Sequence, residues 1–178
     1  MTYAVVDSPL GPLTLVGTDA GELTGLYMDR QRYRPDESGF GERDDAVLPV
    51  VAEQLDEYFH HGRTTFDVPL HLNGTAFQRR IWAALQDIPY GETTTYGGLA
   101  AALGLKPQSA RAVGLANGKN PISIIVPCHR LVGSTGSLTG YGGGIDRKRA
   151  LLDHEAGGSG WGVGGVVQAL RGRGFHRG

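Results

Sequence analysis

A change of hydrophobic rhythm near residue 74 constrains this chain more than any other feature. Before it, short runs of Val, Leu, Thr and Tyr, "TYAVV" (2–6), "PLTLVGT" (12–18) and "ELTGLYM" (22–28), are separated by "DSPLG" and "DAG" and predict strands joined by turns. Residues 30–45 are polar and predict a loop. Val47, Val51, Leu55, Tyr58 and Phe59 recur at helical spacing, which predicts a helix over 46–60, and "TTFDVPLHL" (64–72) reads as a strand leading out of this first module. After the break, the signals are those of short capped helices. Thr75 with Gln78 forms a capping-box signature ahead of the stripe Phe77, Ile81, Trp82 and Leu85, and "IPYGE" (88–92) ends that helix. Thr94 or Thr95 caps a helix over 96–103 that Gly104 stops, and a further helix over 108–117 is closed by Gly118. Two short helices about a tight Gly/Pro turn predict a helix-turn-helix. "ISIIV" (122–126) reads as a buried strand, 132–144 as a glycine-rich loop and 145–156 as a last helix. The glycine-rich stretch 157–178 is expected to be mobile.

Net charge, −1 over 178 residues, conceals a division that follows the same break. Residues 1–70 carry 13 acidic and 5 basic side chains, whereas 71–178 carry 5 acidic and 12 basic. This asymmetry fits either a polyanion partner for the basic half or an acidic module docked on a basic one. No run approaches the ~18 consecutive apolar residues a membrane helix needs, so no membrane association is expected. The N-terminus lacks a basic stretch followed by a long apolar run, and the expectation is a soluble, cytoplasmic protein.

There is one cysteine, Cys128, in "VPCHR" (126–130). One thiol excludes an intrachain disulfide and any multi-thiolate zinc site, and it suits a reducing compartment. A thiol becomes a nucleophile when a base or cation promotes loss of its proton, and His129 is adjacent. Neighbours on an extended chain point to opposite sides, so His129 would act through a water, with a carboxylate such as Glu155 fixing its tautomer. A buried, inert cysteine fits the same residues and stays open on this ground alone. The loop 132–144 lacks Gly-Lys-Ser/Thr and is not a phosphate-binding P-loop; its glycines allow close approach to a flat ligand, or simply a flexible connection.

The second helix of the helix-turn-helix presents Ser109, Ala110, Ala112, Gly114 and Ala116, with one long cation, Arg111. A major-groove reader would offer several Arg, Asn or Gln side chains to base edges, and this helix offers almost none. Small residues permit either close approach to a DNA backbone or packing against the first helix.

Together, "NPISIIVPCHRLVGSTGSLTGYGGG" (120–144), "FQRRIWAALQDIPYGETTTYGGLA" (77–100) and "ARAVGLANGKNP" (110–121) resemble the O6-alkylguanine-DNA alkyltransferases. The resemblance is dense from 75 to 155 and looser over 1–74. It implies an α/β ribonuclease-H-like domain over 1–74, then a mainly α domain over 75–156 that carries the helix-turn-helix and the active-site loop. It further implies that Cys128 accepts the alkyl group, that His129 and Glu155 activate it, and that Asn120 supports the turn holding it. Arg111 is implied to fill the gap left by a flipped base, and Tyr96 to contact the target nucleotide. Ser109, Ala110 and Gly114 would lie along DNA, and Tyr141, Gly142 and Lys148 would border the substrate pocket. The implied activity is transfer of an alkyl group from O6-alkylguanine, and from O4-alkylthymine, to Cys128. It would occur once per molecule, on double-stranded DNA held through the minor groove without sequence preference, by a monomer able to cluster on DNA.

The resemblance implies no cofactor, and no metal is expected because the first module has no cysteine. The chain departs from the family pattern at Leu131, where valine is common, and at Asn117, which is apolar in some relatives. Three rival readings exist, of which a thiol hydrolase with a Cys-His pair would require an oxyanion hole and turnover and would leave the helix-turn-helix unexplained. A non-catalytic sensor of alkylated DNA would lack the acceptor cysteine, and a helix-turn-helix regulator would need longer polar side chains over 108–117.

Overall fold

The computed structural model describes residues 1–138 and 141–157. The glycine-rich stretch expected to be mobile lies, from residue 158 onward, outside the described residues, as do Thr139 and Gly140 of the loop.

The first module is a four-stranded sheet with a helix. β1 (Thr2–Val6), β2 (Leu13–Gly17) and β3 (Leu23–Met28) form an antiparallel meander, and a two-residue β4 (Glu42–Arg43) joins β1 in parallel, giving the order β3-β2-β1-β4. The strand runs of the sequence are observed within a residue at each end; β4 falls inside the polar stretch 30–45, whose exposed composition carries no strand signal. Helix α1 (Pro49–His60) buries Val51, Leu55, Tyr58 and Phe59 and begins later than the predicted 46, because Pro49 at its first position sets the start.

The segment 64–72 is not a ladder strand. It touches β3 at one bridge, Leu23 to Leu70, with Leu23 N–H donating to the Pro69 carbonyl at 2.9 Å and His71 N–H to the Leu23 carbonyl at 2.8 Å. Pro69 has no N–H to give a ladder. Upstream, the Gln54 amide takes the ladder's place: its Oε1 accepts from Asp67 N–H at 2.9 Å, and its Nε2 donates to the Asp67 carbonyl at 3.2 Å.

The second module is helical. Thr75 and Gln78 make both reciprocal bonds of a capping box ahead of α2 (Ala76–Leu85). β5 (Thr94–Thr95) pairs in parallel with β6 (Leu131–Val132). Thr95 then caps α3 (Tyr96–Ala102), and Gly104, in the left-handed region at φ +70°, turns the chain after it. A 3-10 turn (Pro107–Ser109) leads into α4 (Ala110–Gly118), completing a helix-turn-helix, and α5 (Ile145–Glu155) closes the described fold. The Trp82 indole donates to the Ala116 carbonyl at 2.9 Å and ties α2 to α4.

"ISIIV" is a compact turn rather than a strand. Ile124 sits at φ +70°, unusual for a β-branched residue, and Ile125 N–H donates to the Ser123 carbonyl at 2.7 Å. The cause is Asn120. Its Oδ1 accepts from Ile122 N–H at 3.0 Å, and its Nδ2 donates to the Val126 carbonyl at 2.8 Å and the Ile122 carbonyl at 3.2 Å. Only Ile122 pairs with β3, at Leu26. One hydrophobic core runs through both modules, taking Leu15, Leu26 and Tyr58 from the first and Trp82, Ile122, Val126 and Leu151 from the second.

Replacing Thr75 by Ala removes one half of the capping box and is expected to cost about 1 kcal/mol of stability, read as a lower midpoint in urea at unchanged slope.

Candidate active site

The Asn120-braced turn delivers Cys128 to the start of a single 3-10 turn, Cys128–Arg130, in which all three residues are buried. Asn117, on α4, donates from Nδ2 to the Cys128 carbonyl at 3.3 Å. Burial pushes the Cys128 thiol up, while the Asn120 amide, the Lys148 ammonium and local backbone bonds act the other way. Burial therefore favours the protonated thiol.

The adjacent His129 is held by α5. Glu155 Oε2 lies 2.7 Å from His129 Nε2, and it also accepts from the Tyr58 hydroxyl at 2.7 Å and from Arg130 Nη2 at 3.0 Å. Arg130 Nε donates to Oε1 at 2.8 Å, making the guanidinium bidentate, and its Nη1 donates to the Ile88 carbonyl at 2.7 Å. Burial pushes the Glu155 carboxyl up, but hydrogen bonds from His129 and Arg130, with the permanent charge of Arg130, outweigh it and hold the group well below the usual carboxylate range. Burial, reinforced by the Arg130 and Lys148 charges, lowers His129 despite Glu155. The resulting state is a neutral imidazole whose Nε2–H donates to an ionised Glu155, which leaves Nδ1 as the basic nitrogen. Nδ1 is buried and has no hydrogen-bond partner among the described residues. Asn117 Oδ1, beside the same turn, is in the same condition.

Lys148 is fully buried on α5. It donates to the Leu131 carbonyl, and its ammonium lies 5.8 Å from the ring centre of Tyr96. Burial brings its pKa down to about 8, against the favourable charge of a Cys128 thiolate.

On the face of α4, a cavity of about 600 Å³ is lined by Arg111, Gly114, Tyr141 and Gly142, and by Arg32 and Tyr33 of the first module. Cys128 does not line it. Tyr141 belongs to both regions: it lines the cavity, and its phenol, raised by burial, feels the charge of Cys128. Gly143 is required beside it, since a Cβ there would come within 2.5 Å of the Tyr141 ring and 2.8 Å of Met28 Sδ. Arg111 is exposed and forms no ion pair among the described residues. Ser109 and Ala110 open α4 half-buried, and Gly114 faces the Tyr96 ring. Among the described residues no group of three or more His, Cys, Asp or Glu side chains is placed to hold a metal.

The structure thus gathers Cys128, His129, Glu155, Asn120 and Lys148 in one buried cluster, and sets Arg111, Gly114, Tyr141 and Gly142 around the adjoining cavity. Sequence reasoning missed two members of the cluster. Arg130 stands in the "PCHR" run, where a cation flanking a Cys-His pair was an available signal. Tyr58 was placed only on the apolar stripe of α1, and nothing local reveals that its hydroxyl crosses to Glu155.

Family models match both modules: the 6-O-methylguanine DNA methyltransferase ribonuclease-like domain over residues 1–72 and the DNA binding domain of the same family over 76–157. A methylated-DNA–protein-cysteine methyltransferase of Mycolicibacterium paratuberculosis is 56% identical over 150 residues, covering 84% of this chain and 89% of the relative. A protein of the same name from Methanosarcina acetivorans is 44% identical over 155 residues, covering 87% and 98%. The crystal structure of Mycobacterium tuberculosis OGT in complex with DNA superposes with a TM-score of 0.82 at 51% identity, covering 89% of this chain and 95% of that one.

A carboxyl held below its ordinary value of 4.5 contributes stability that is complete above that pH and is lost as the pH falls below it. The acid limb of the stability profile is therefore expected to begin near pH 4.5 and to flatten in Glu155→Gln, measured by urea unfolding at stepped pH. Should that variant not fold, Tyr58→Phe keeps the ring and removes one donor; it is expected to lose about 1–3 kcal/mol.

Proposed function

We propose that this chain, which belongs to the 6-O-methylguanine DNA methyltransferase family, repairs DNA by taking an alkyl group from the O6 atom of guanine onto Cys128. DNA is its partner and alkyl transfer its reaction; the roles of individual residues, which follow, are our reading. The observation that carries it is a buried thiol followed in the chain by a neutral histidine whose tautomer is fixed by an ionised Glu155, beside a cavity of about 600 Å³.

An alkyl group on a base inside a duplex is out of reach of Cys128, so the nucleotide leaves the stack, at a cost of a few kcal/mol. Arg111 enters the vacancy and offsets part of that cost. Small residues on the same helix, Ser109, Ala110 and Gly114, let α4 approach the minor groove, and the basic second module holds phosphates without reading sequence. The extruded base lies against Tyr141 and Gly142, with Tyr96 contacting the target nucleotide at the end of α3.

His129 Nδ1 then draws the thiol proton through a bridging water, and Glu155 stabilises the imidazolium that forms. Lys148 favours the thiolate while it keeps its own proton. The sulfur attacks the alkyl carbon in line; the S–C bond forms as the C–O6 bond breaks, and the electron pair left on the base is taken up by a proton, restoring guanine. The same geometry accepts O4-alkylthymine, whose reacting carbon is also bound to an exocyclic oxygen. The thioether is not hydrolysed, and Cys128 is the only cysteine in the chain, so no thiol resolves it. Each molecule therefore acts once, without cofactor or metal. It works as a monomer that clusters on DNA in the cytoplasm; among the described residues, no helix is long and apolar enough to cross a membrane.

Mixing the protein with a duplex carrying one O6-methylguanine is expected to raise its intact mass by one methylene, located at Cys128, with a stoichiometry of one. Cys128→Ser is expected to bind the duplex without reacting. Repeated turnover, or label on another residue, would reject the assignment. Arg111→Ala is expected to slow repair of the duplex about tenfold or more while sparing reaction with free O6-benzylguanine, because only the duplex requires extrusion; equal losses on the two substrates would remove its role in flipping.

A further inference from the structure

The cavity on α4 has a wall that the proposed reaction does not use. Arg32 and Tyr33 line it, and both come from the loop that follows β3 in the first module. Three of the five basic residues in the acidic stretch 1–70 fall in this loop, at Arg30, Arg32 and Arg34.

Its backbone is held in an unusual shape. Arg30 and Tyr33 both occupy the left-handed region, at φ 55° and 60°, although neither is glycine. Such conformations cost of order 1–3 kcal/mol each and persist where the surroundings fix them. Here the fixing contact is to the substrate loop: Arg32 N–H donates to the Gly142 carbonyl at 2.8 Å. The two segments are closely packed there, since a Cβ on Gly142 would lie 3.3 Å from the Gly118 carbonyl and 3.4 Å from the Arg32 carbonyl.

The strained loop presents an aromatic ring to solvent. Tyr33 is 47% exposed. The Arg32 guanidinium lies 4.9 Å from its ring centre and the Lys119 ammonium, just beyond α4, lies 5.5 Å from it. Neither cation is ion-paired among the described residues, and the same holds for Arg111 across the lining of the cavity. Three cations gathered about one cavity without a carboxylate repel one another unless an anion is shared between them, and an exposed ring between cations is the arrangement that binds single-stranded nucleotides by stacking and phosphate contact.

We propose that loop 30–34 is a second DNA-binding element: Arg32 and Lys119 hold the phosphates flanking the extruded nucleotide, and Tyr33 stacks on a base at the cavity mouth. This rests on the reading of α4 as the DNA-facing helix and extends it to the first module, which thereby takes part in binding the lesion strand. The alternative, that the cations and ring merely pin the loop to α4, predicts no dependence on DNA.

The test uses the full chain with Cys128→Ser, so that binding to an O6-methylguanine duplex is read without reaction, over a series of salt concentrations. Arg32→Ala is expected to weaken binding and to reduce the slope of log affinity against log salt by about 0.9, the loss of one phosphate contact. Tyr33→Ala is expected to weaken binding about tenfold, and Tyr33→Phe to restore it. With Cys128 present, Arg32→Ala is expected to lose more of its rate on the duplex than on free O6-benzylguanine. An unchanged salt slope and affinity in Arg32→Ala would overturn the proposal, and so would a parallel loss of reaction with the free base, since the defect would then not lie in holding DNA. Failure of the parent protein to alkylate Cys128 from either substrate would instead strike at the repair reading itself.

Discussion

The buried polar cluster of this molecule converges on the carboxylate of Glu155. It accepts hydrogen bonds from an imidazole, a bidentate guanidinium and a phenol, all within the protein interior. A buried carboxylate survives as an anion only when its lone pairs are satisfied and its charge is countered, and Arg130 does both at once. Because Arg130 carries the permanent charge, His129 does not have to be protonated to keep Glu155 ionised. The tautomer of the histidine is set by the bond it donates, and its Nδ1 keeps a lone pair able to accept a proton.

The same carboxylate links the two modules. Tyr58 comes from α1 of the acidic first module, and its ring packs against Phe59, Phe66, Tyr90 and His154. The His154 ring lies 2.8 Å, through Nε2, from the Tyr58 carbonyl, so α1 and α5 are joined twice within one residue of Glu155. These bonds fix the register of the two modules. The first module is therefore part of the machinery of the second.

What could be read in the sequence was whatever is decided over a few neighbouring residues. The capping box at Thr75 and Gln78, the Thr95 cap and the stop at Gly104 are contacts within one turn of chain, and the sequence displays them directly. The Cys-His run with Glu155 was legible through its resemblance to a known family, while the bond between His129 and Glu155 spans 26 residues. Two features stayed hidden for a common reason. The Tyr58 hydroxyl reaches a partner 97 residues away, and a tyrosine on an apolar stripe looks like any core aromatic. The 122–126 run is composed as a strand should be, but the side chain of Asn120 takes over the backbone groups that a neighbouring strand would need, and the chain coils instead. Local composition is a poor guide wherever one polar side chain competes with a ladder.

The single bridge between Leu26 and Ile122 has a consequence for how damage to this protein would be felt. Leu26 donates to the Pro121 carbonyl and accepts from Ser123, so the edge of the sheet grips the chain three to five residues before the Asn120 loop ends at Val126. Cys128 is therefore suspended from a scaffold that belongs to the other half of the molecule. On the function proposed above, a lesion in the sheet that leaves α4 untouched would shift the sulfur relative to His129, and the grip on DNA would outlast the chemistry.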